Sequence, residues 1–162
     1  MRRAGDLITL PVISQSKGEI IGEVDDILFD QLNGEIKIIV IKNKERLYTT
    51  VNNLYTIGDD LIVIKNSNLL YKYDGSNIES YVSINNKKDT LIGEQVITSD
   101  GKEVGMVKDM IVDESKYKMA GYELSGGIFN DLLKGRNILP IENKIIKGED
   151  AVILENNNLK EI

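Results

Sequence analysis

An internal duplication governs how this chain is read. The stretch Gly18-Glu19-Ile20-Ile21-Gly22-Glu23-Val24-Asp25-Asp26-Ile27-Leu28-Phe29-Asp30 returns as Gly101-Lys102-Glu103-Val104-Gly105-Met106-Val107-Lys108-Asp109-Met110-Ile111-Val112-Asp113, with five identities in register: both glycines, the valine and two aspartates. Upstream, Leu7-Ile8 and Val12-Ile13-Ser14 match Leu91-Ile92 and Val96-Ile97-Thr98, after which the second copy drops one residue. Downstream, Ile57 to Ile64 pairs with Lys147 to Leu154, and the likeness runs on through Asn66, Asn68 and Leu69 against Asn156, Asn158 and Leu159. Three blocks in one order with small offsets argue for duplication of a single unit. A chain of 162 residues has room for two such units, each with a modest core.

Each unit reads as short strands. Ile20 to Phe29, Ile36 to Ile41, Arg46 to Val51 and Leu61 to Ile64 are rich in β-branched residues and bounded by Gly, Asn and Asp, the pattern of strands separated by turns. The second copy gives Val104 to Val112, Met119 to Leu124, Asn137 to Ile141 and Ala151 to Leu154. Asn33-Gly34 predicts a tight hairpin, because both residues tolerate positive φ. Gly58-Asp59-Asp60 and Gly148-Glu149-Asp150 predict turns into the last strand of each unit. Many short strands suggest closure into a barrel, which removes exposed sheet edges. The expectation is an all-β chain of two tandem small barrels, with a first unit over 1–72, a connector over 73–88 and a second unit over 89–162.

The repeated glycines and aspartates need physical reasons. Gly22 and Gly105 sit inside strand patterns, where a glycine marks a bulge, a sharp bend or a close backbone approach. Strict alternation puts Asp26 on the face of Val24, and Asp109 on that of Val107, which turns a carboxylate inward. Either a bulge re-aims it, or it accepts backbone N–H groups near a strand crossing; a paired-carboxylate site is the functional alternative. Gly22, Val24, Asp26, Gly105, Val107 and Asp109 are therefore read as structural repeat positions.

Composition removes whole classes of chemistry. The chain has no Cys and no His, so disulfides, thiolate or imidazole metal sites, cysteine nucleophiles and histidine triads are all excluded. The net charge is −6, and with acids and bases interspersed there is no basic stripe to displace counterions from a phosphate backbone. The same charge disfavours an anionic membrane surface. Apolar runs such as Ile38 to Ile41 are of strand length, and no signal-peptide stretch follows Arg2-Arg3. No nucleic acid, no membrane and a cytoplasmic location are expected, with no cofactor and no resident metal.

Three further features carry alternatives. The second copy holds an insertion, Ser125 to Arg136, in which Ile128 to Lys134 can make about two helical turns ended by Gly135. Its face, Ile128, Phe129, Leu132 and Leu133 with Arg136 beside it, is the candidate partner-binding surface, or else it plugs its own barrel or seals the units together. The acid pairs Asp25-Asp26, Asp59-Asp60, Asp113-Glu114 and Glu149-Asp150 lack the loop spacing of a calcium site, and two of them fall in predicted turns. The connector carries Tyr71, Tyr73 and Tyr81 nearby, either packing across the two barrels or forming an extra strand.

The pattern Leu-Ile, Val-Ile, then Gly-x-x-x-Gly-x-Val-x-Asp-Ile-Leu-x-Asp resembles the PRC-barrel family, as does Leu139-Pro140-Ile141 followed by Gly148 to Ile153. The resemblance covers nearly the whole chain, once over about 5–72 and once over about 89–160. The first copy departs from it at Tyr48-Thr49-Thr50-Val51, where the proline is absent. It implies two PRC-like barrels, with one short helix inserted in the second. The family includes the cytoplasmic part of the photosynthetic reaction-centre H subunit and the C-terminal half of the ribosome maturation factor, so what it implies is adaptor work on protein partners. A non-enzymatic cytoplasmic adaptor with an unidentified protein partner, itself a monomer or weak homodimer, is the leading expectation. A small-molecule or metal-ion binding module and a ribosome-maturation-associated protein are the alternatives.

Overall fold

The computed structural model describes residues 1–76, 80–126, 137–143 and 145–155. Among them every regular element is a strand, apart from two short 3-10 turns at Ala4–Leu7 and Val51–Asn53. In chain order the strands are β1 (Arg2–Arg3), β2 (Pro11–Ser14), β3 (Ile20–Asp30), β4 (Ile36–Lys42), β5 (Arg46–Thr50), β6 (Leu54–Ile57), β7 (Ile62–Ile64), β8 (Tyr71–Lys72) and β9 (Tyr81–Ser83). The second half gives β10 (Gln95–Thr98), β11 (Glu103–Asp113), β12 (Lys118–Ser125), β13 (Ile138–Pro140), β14 (Ile145–Lys147) and β15 (Val152–Leu154). No helix among the described residues is long and apolar enough to cross a membrane. The helix expected over 128–134 lies outside the described residues.

The duplication is visible in the pairing. One sheet runs β6-β7-β2-β3-β4-β5-β8 and the other β14-β15-β10-β11-β12-β13. In each, one short pair runs parallel, β2 with β7 (Val12 opposite Ile62) and β10 with β15 (Val96 opposite Val152). Each long strand then folds antiparallel onto the next, β3 on β4 and β11 on β12. The described pairings form paths rather than rings. In the first sheet, side chains span the gap between β5 and the β6–β7 end: Asn53 donates to Thr49 Oγ1 at 2.9 Å and accepts from the Asn66 N–H at 2.9 Å.

Bulges and glycines bend the long strands. The register slips between Val24 and Asp26, and at the matching place between Val107 and Asp109, so one extra residue turns each aspartate away from its neighbour's partner. At Gly22 any Cβ would lie 2.4 Å from the Lys42 carbonyl oxygen, and at Gly105 (φ +152°) 2.9 Å from that of Gly126. Both positions need the close approach that only glycine permits. The hairpin at Asn33-Gly34 is longer than the tight turn expected: five residues separate β3 from β4, and only Gly34 takes positive φ, at 77°. Asp30 Oδ1 holds that loop by accepting from the N–H groups of Leu32 and Asn33.

The halves are not two beads on a string. β1, at the start of the first copy, pairs with β11 of the second sheet, Arg2 opposite Val112 and Arg3 opposite Ile111. β9, ahead of the second copy, pairs with β3 of the first sheet, Leu28 opposite Ser83 and Phe29 opposite Val82. Leu28 and Phe29 are the repeat equivalents of Ile111 and Val112, so each copy lends its leading strand to the same place on the other. Between them Glu35 bridges Lys118, its own repeat equivalent, with Ile36 N–H donating to Tyr117 O at 3.0 Å and Met119 N–H to Gly34 O at 2.7 Å. Equivalent residues exchanging equivalent bonds define a local two-fold axis, the geometry of an isologous dimer written in one chain. One continuous apolar cluster, from Ala4 and Leu7 through Phe29 and Ile39 to Met110, Met119 and Leu154, fills both halves.

Candidate functional site

The crossings are where the shared aspartates act. Asp26, 1% exposed, accepts on Oδ1 from the N–H groups of Ile27 (2.8 Å), Ile84 (3.0 Å) and Asn85 (3.1 Å). Its Oδ2 accepts from the Ser83 hydroxyl. Three of those four donors belong to the segment arriving from the other copy. Burial raises the Asp26 pKa above the ordinary carboxylate value, with the four donors opposing the shift. Asp109 does the same work at the equivalent crossing: it accepts from Met110 N–H at 2.7 Å and from Gly5 N–H at 3.2 Å, and burial again pushes its pKa up. Both the bulge and the crossing named as structural reasons for these aspartates are present.

The second crossing carries an additional ion pair. Arg3 donates from Nε and Nη2 to the two carboxylate oxygens of Glu123, at 2.7 and 2.8 Å. Such a fork is the strong form of this interaction, and it holds the Arg3 guanidinium charged. Glu123 is buried; its equivalent in the first copy is Val40, so nothing in the duplication required a charge there.

A cleft flanks each crossing. One, of about 580 Å³, is lined by Thr56, Ile57, Asp59, Glu114, Ser115 and Tyr117 together with Met1. Arg2 reaches across beside it, donating to the carbonyls of Gly58 (2.8 Å) and Asp59 (3.1 Å), with Glu114 3.5 Å from its Nε. The other, of about 690 Å³, is lined by Gln31, Leu32, Tyr81, Val82, Leu91, Ile145 and Ile146, with Lys88, Asp89, Lys147, Gly148, Glu149 and Glu155. Gln31, Leu32, Ile146, Lys147 and Glu149 are the repeat equivalents of Glu114, Ser115, Thr56, Ile57 and Asp59, so the two clefts are related by the same local axis.

The outer sheet faces carry in-register apolar rows. In the first sheet Thr56 stands opposite Val63, Val63 beside Ile13, and Ile13 opposite Ile20. The equivalent row in the second is Ile146, Ile153, Ile97 and then Glu103. Ile20 is 73% exposed, Ile146 47% and Ile153 40%. Cross-strand neighbours sit within contact reach on one face, so each row is a continuous strip, and each ends at the cleft that Thr56 or Ile146 lines.

The first copy's departure from the family pattern has a structural use. Thr49, equivalent to Leu139, is fully buried and donates its hydroxyl to Leu69 O at 2.8 Å. That bond sets the approach to β8, where Tyr71 packs 5.5 Å from Tyr48 between ring centroids, Tyr73 lies 6.2 Å from Tyr48, and the Arg46 guanidinium sits 5.0 Å from the Tyr73 ring centre. Arg46 is also paired with Asp25 at 2.8 Å. Tyr71 and Tyr73 thus cluster on the first unit, and Tyr81 forms the extra strand β9.

The remaining expected sites fall as follows. Ile128, Phe129, Leu132, Leu133 and Arg136, the proposed partner face, lie outside the described residues. The acid pairs do not converge: among the described residues no group of three or more acidic side chains could hold a metal ion. Gly58 and Gly148 make the expected turns, with N–H bonds to Leu61 O and Ala151 O. Arg2, Arg3, Val82 and Ser83 were not singled out by sequence, because two- and three-residue strands carry no period of their own.

Compared with protein families, the PRC-barrel domain matches this chain twice, over residues 1–71 and 86–160. No curated protein matches it.

Proposed function

Because this chain belongs to the PRC-barrel family as a tandem member, we propose that it is a non-enzymatic adaptor, acting in the cytoplasm, that presents two related surfaces to a protein partner. The observation carrying this reading is the pair of apolar rows. Contiguous exposed apolar surface on a folded protein marks an interaction site; Ile146 and Ile153 are exposed neighbours in the second row, and Ile20 is exposed at the end of the first. Reciprocal strand exchange holds the two rows in one fixed relation, which suits a scaffold. Closure of each bent sheet into a full barrel belongs to the same proposal. The test is affinity capture from the native host with intact protein as bait, compared with an Ile146→Asp, Ile153→Asp double variant. The expected result is a specific partner retained by the parent and lost by the variant, with both proteins folded. Equal capture by the two removes the rows from the argument.

A second reading, a small-molecule binding module, is favoured by the 690 Å³ cleft between the units, a size in the range of ligand sites. A thermal-shift screen against metabolites and divalent cations tests it. A saturable rise of several degrees supports this reading, and a flat response across the panel removes it.

A further inference from the structure

The two clefts are equivalent in construction but not in content. Beside the smaller, the Arg2 guanidinium lies across the turn of the β6–β7 hairpin and donates to the carbonyls of Gly58 and Asp59. The equivalent hairpin, β14–β15, makes the same turn: Gly148 N–H donates to Ala151 O at 2.8 Å, as Gly58 N–H does to Leu61 O at 2.9 Å. Its Gly148 and Glu149 therefore carry the carbonyls that match the pair Arg2 engages. The residue equivalent to Arg2 is Val82, which is too short to reach them and has nothing to donate. Among the described residues no side chain donates to either carbonyl.

We propose that this larger cleft is a receptor for an arginine side chain supplied by a protein partner. The turn beside the smaller cleft shows what the geometry accepts: a planar guanidinium whose Nη1 and Nη2 each donate to one of two successive turn carbonyls, a fixed fork that an ammonium lacks. The surroundings fit the rest of the side chain. Leu32 and Ile146, both exposed, offer apolar surface for an alkyl stem, the way long basic side chains cover apolar groups while keeping the head on polar atoms. Three carboxylates, Asp89, Glu149 and Glu155, line the cleft against two ammonium groups. One of these, Lys147 Nζ, is already committed to the carbonyls of Lys88 (2.6 Å) and Thr90 (3.2 Å). The row Ile97-Ile153-Ile146 runs up to the cleft mouth, so a partner segment lying along the row drops its arginine into the cleft. This rests on the adaptor reading for its biological meaning and on the cleft alone for binding.

The experiment is a heteronuclear NMR titration of the full chain with an acetylated, amidated Ile-Arg-Ile tripeptide, beside the same peptide with lysine or citrulline in the centre. The expected result is a saturable response with a Kd of roughly 1 mM, centred on the amides of Gly148 to Asp150, Gln31 and Leu32, and weaker by about tenfold with either control peptide. Val82→Arg, which supplies the missing guanidinium from within, and Glu149→Lys at the exposed rim should each abolish it. If Val82→Arg does not fold, Glu149→Lys carries the comparison. No saturable response at this hairpin, an equal response to citrulline, or full binding by the Glu149→Lys protein overturns the proposal. Loss of the peptide response while a partner is still captured leaves the adaptor reading standing; partner loss with the peptide still bound removes only that reading.

Discussion

Replacing Asp26 separates two things its carboxylate does, accepting hydrogen bonds and carrying charge. All three backbone N–H donors converge on Oδ1, and only the Ser83 hydroxyl uses Oδ2. Asp26→Asn keeps Oδ1 as the acceptor of all three N–H groups, and its Nδ2 can donate to the Ser83 oxygen, which also accepts from Asn86 N–H; without the charge only the Ser83 hydroxyl proton loses its acceptor. Asp26→Ala orphans all four donors. At about 1–3 kcal/mol for each buried group left unpaired, less what water recovers at the exposed Asn85 and less the cost of burying the carboxylate itself, the alanine variant should lose about 3 kcal/mol. The asparagine variant should stay near the parent at neutral pH. The pH dependence has a definite sign. The folded-state pKa is raised above its ordinary value, so in the window between the unfolded and folded values the native state binds more protons than the unfolded state. Stability contributed through this group therefore falls as pH rises through that window and is level above it. Urea denaturation from acid to neutral pH, run on parent, Asp26→Asn and Asp26→Ala, measures both effects. The asparagine variant should lack the parent's gain in stability toward acid. Asparagine as damaging as alanine, or a parent-minus-asparagine difference with no pH dependence, would refute the reasoning.

Three other outcomes follow from equally local features. Thr49→Val preserves shape but removes the bond to Leu69 O and the acceptor for Asn53; it should cost about 1–2 kcal/mol in a urea melt and speed amide exchange at Tyr71 to Tyr73. Thr9 holds φ at 70°, a left-handed conformation that its repeat equivalent Gly93 takes at 90°; Thr9→Gly should raise stability by roughly 0.5–1 kcal/mol, relieved β-branched strain exceeding the added chain entropy. Reciprocal strands and a single apolar cluster predict one cooperative unfolding transition, so hydrogen exchange should report matching opening free energies for β3 and β11; protection retained in one long strand while lost in the other contradicts the interlocked fold.

Much of this architecture was legible in the residues because it rests on repetition and alternation. Gly22 and Gly105 announced a close approach, and a Cβ at either would meet a carbonyl oxygen. Asp26 and Asp109 fell on an inward face, and an inward carboxylate must find donors, which pointed to a crossing. What alternation cannot reach is which chain segment supplies those donors. Arg2-Arg3 and Tyr81–Ser83 are too short to show a period, and their sheet membership is decided by the partner strand rather than by their own sequence. The boundary drawn at the end of the first copy was therefore a boundary of sequence likeness, while the sheets exchange strands across it. The clefts were illegible for the same reason: they exist only once Thr56 meets Glu114 and Ile146 meets Gln31 across the local axis.

Duplication makes differences between equivalent positions more informative than the matches. Matched positions such as Gly22 and Gly105, or Asp26 and Asp109, report what either unit needs in order to fold. Where the copies diverge at a position facing the other copy, folding is satisfied in two ways, and the choice carries specific information. Val40 and Glu123 are both buried, but only Glu123 captures an arginine of the crossing strand. Thr49 and Leu139 both fill a core position, but only Thr49 anchors the approach to an aromatic edge. Arg2 and Val82 both sit on the lent strand, but only Arg2 fills the site its own hairpin turn creates. A symmetric chain with arginine at both positions would have both hairpin turns engaged from within, and one with valine at both would leave both turns unengaged by this strand. This chain has one of each. The axis that makes its two halves structurally interchangeable thus leaves them chemically distinct at the place where a partner's side chain would enter.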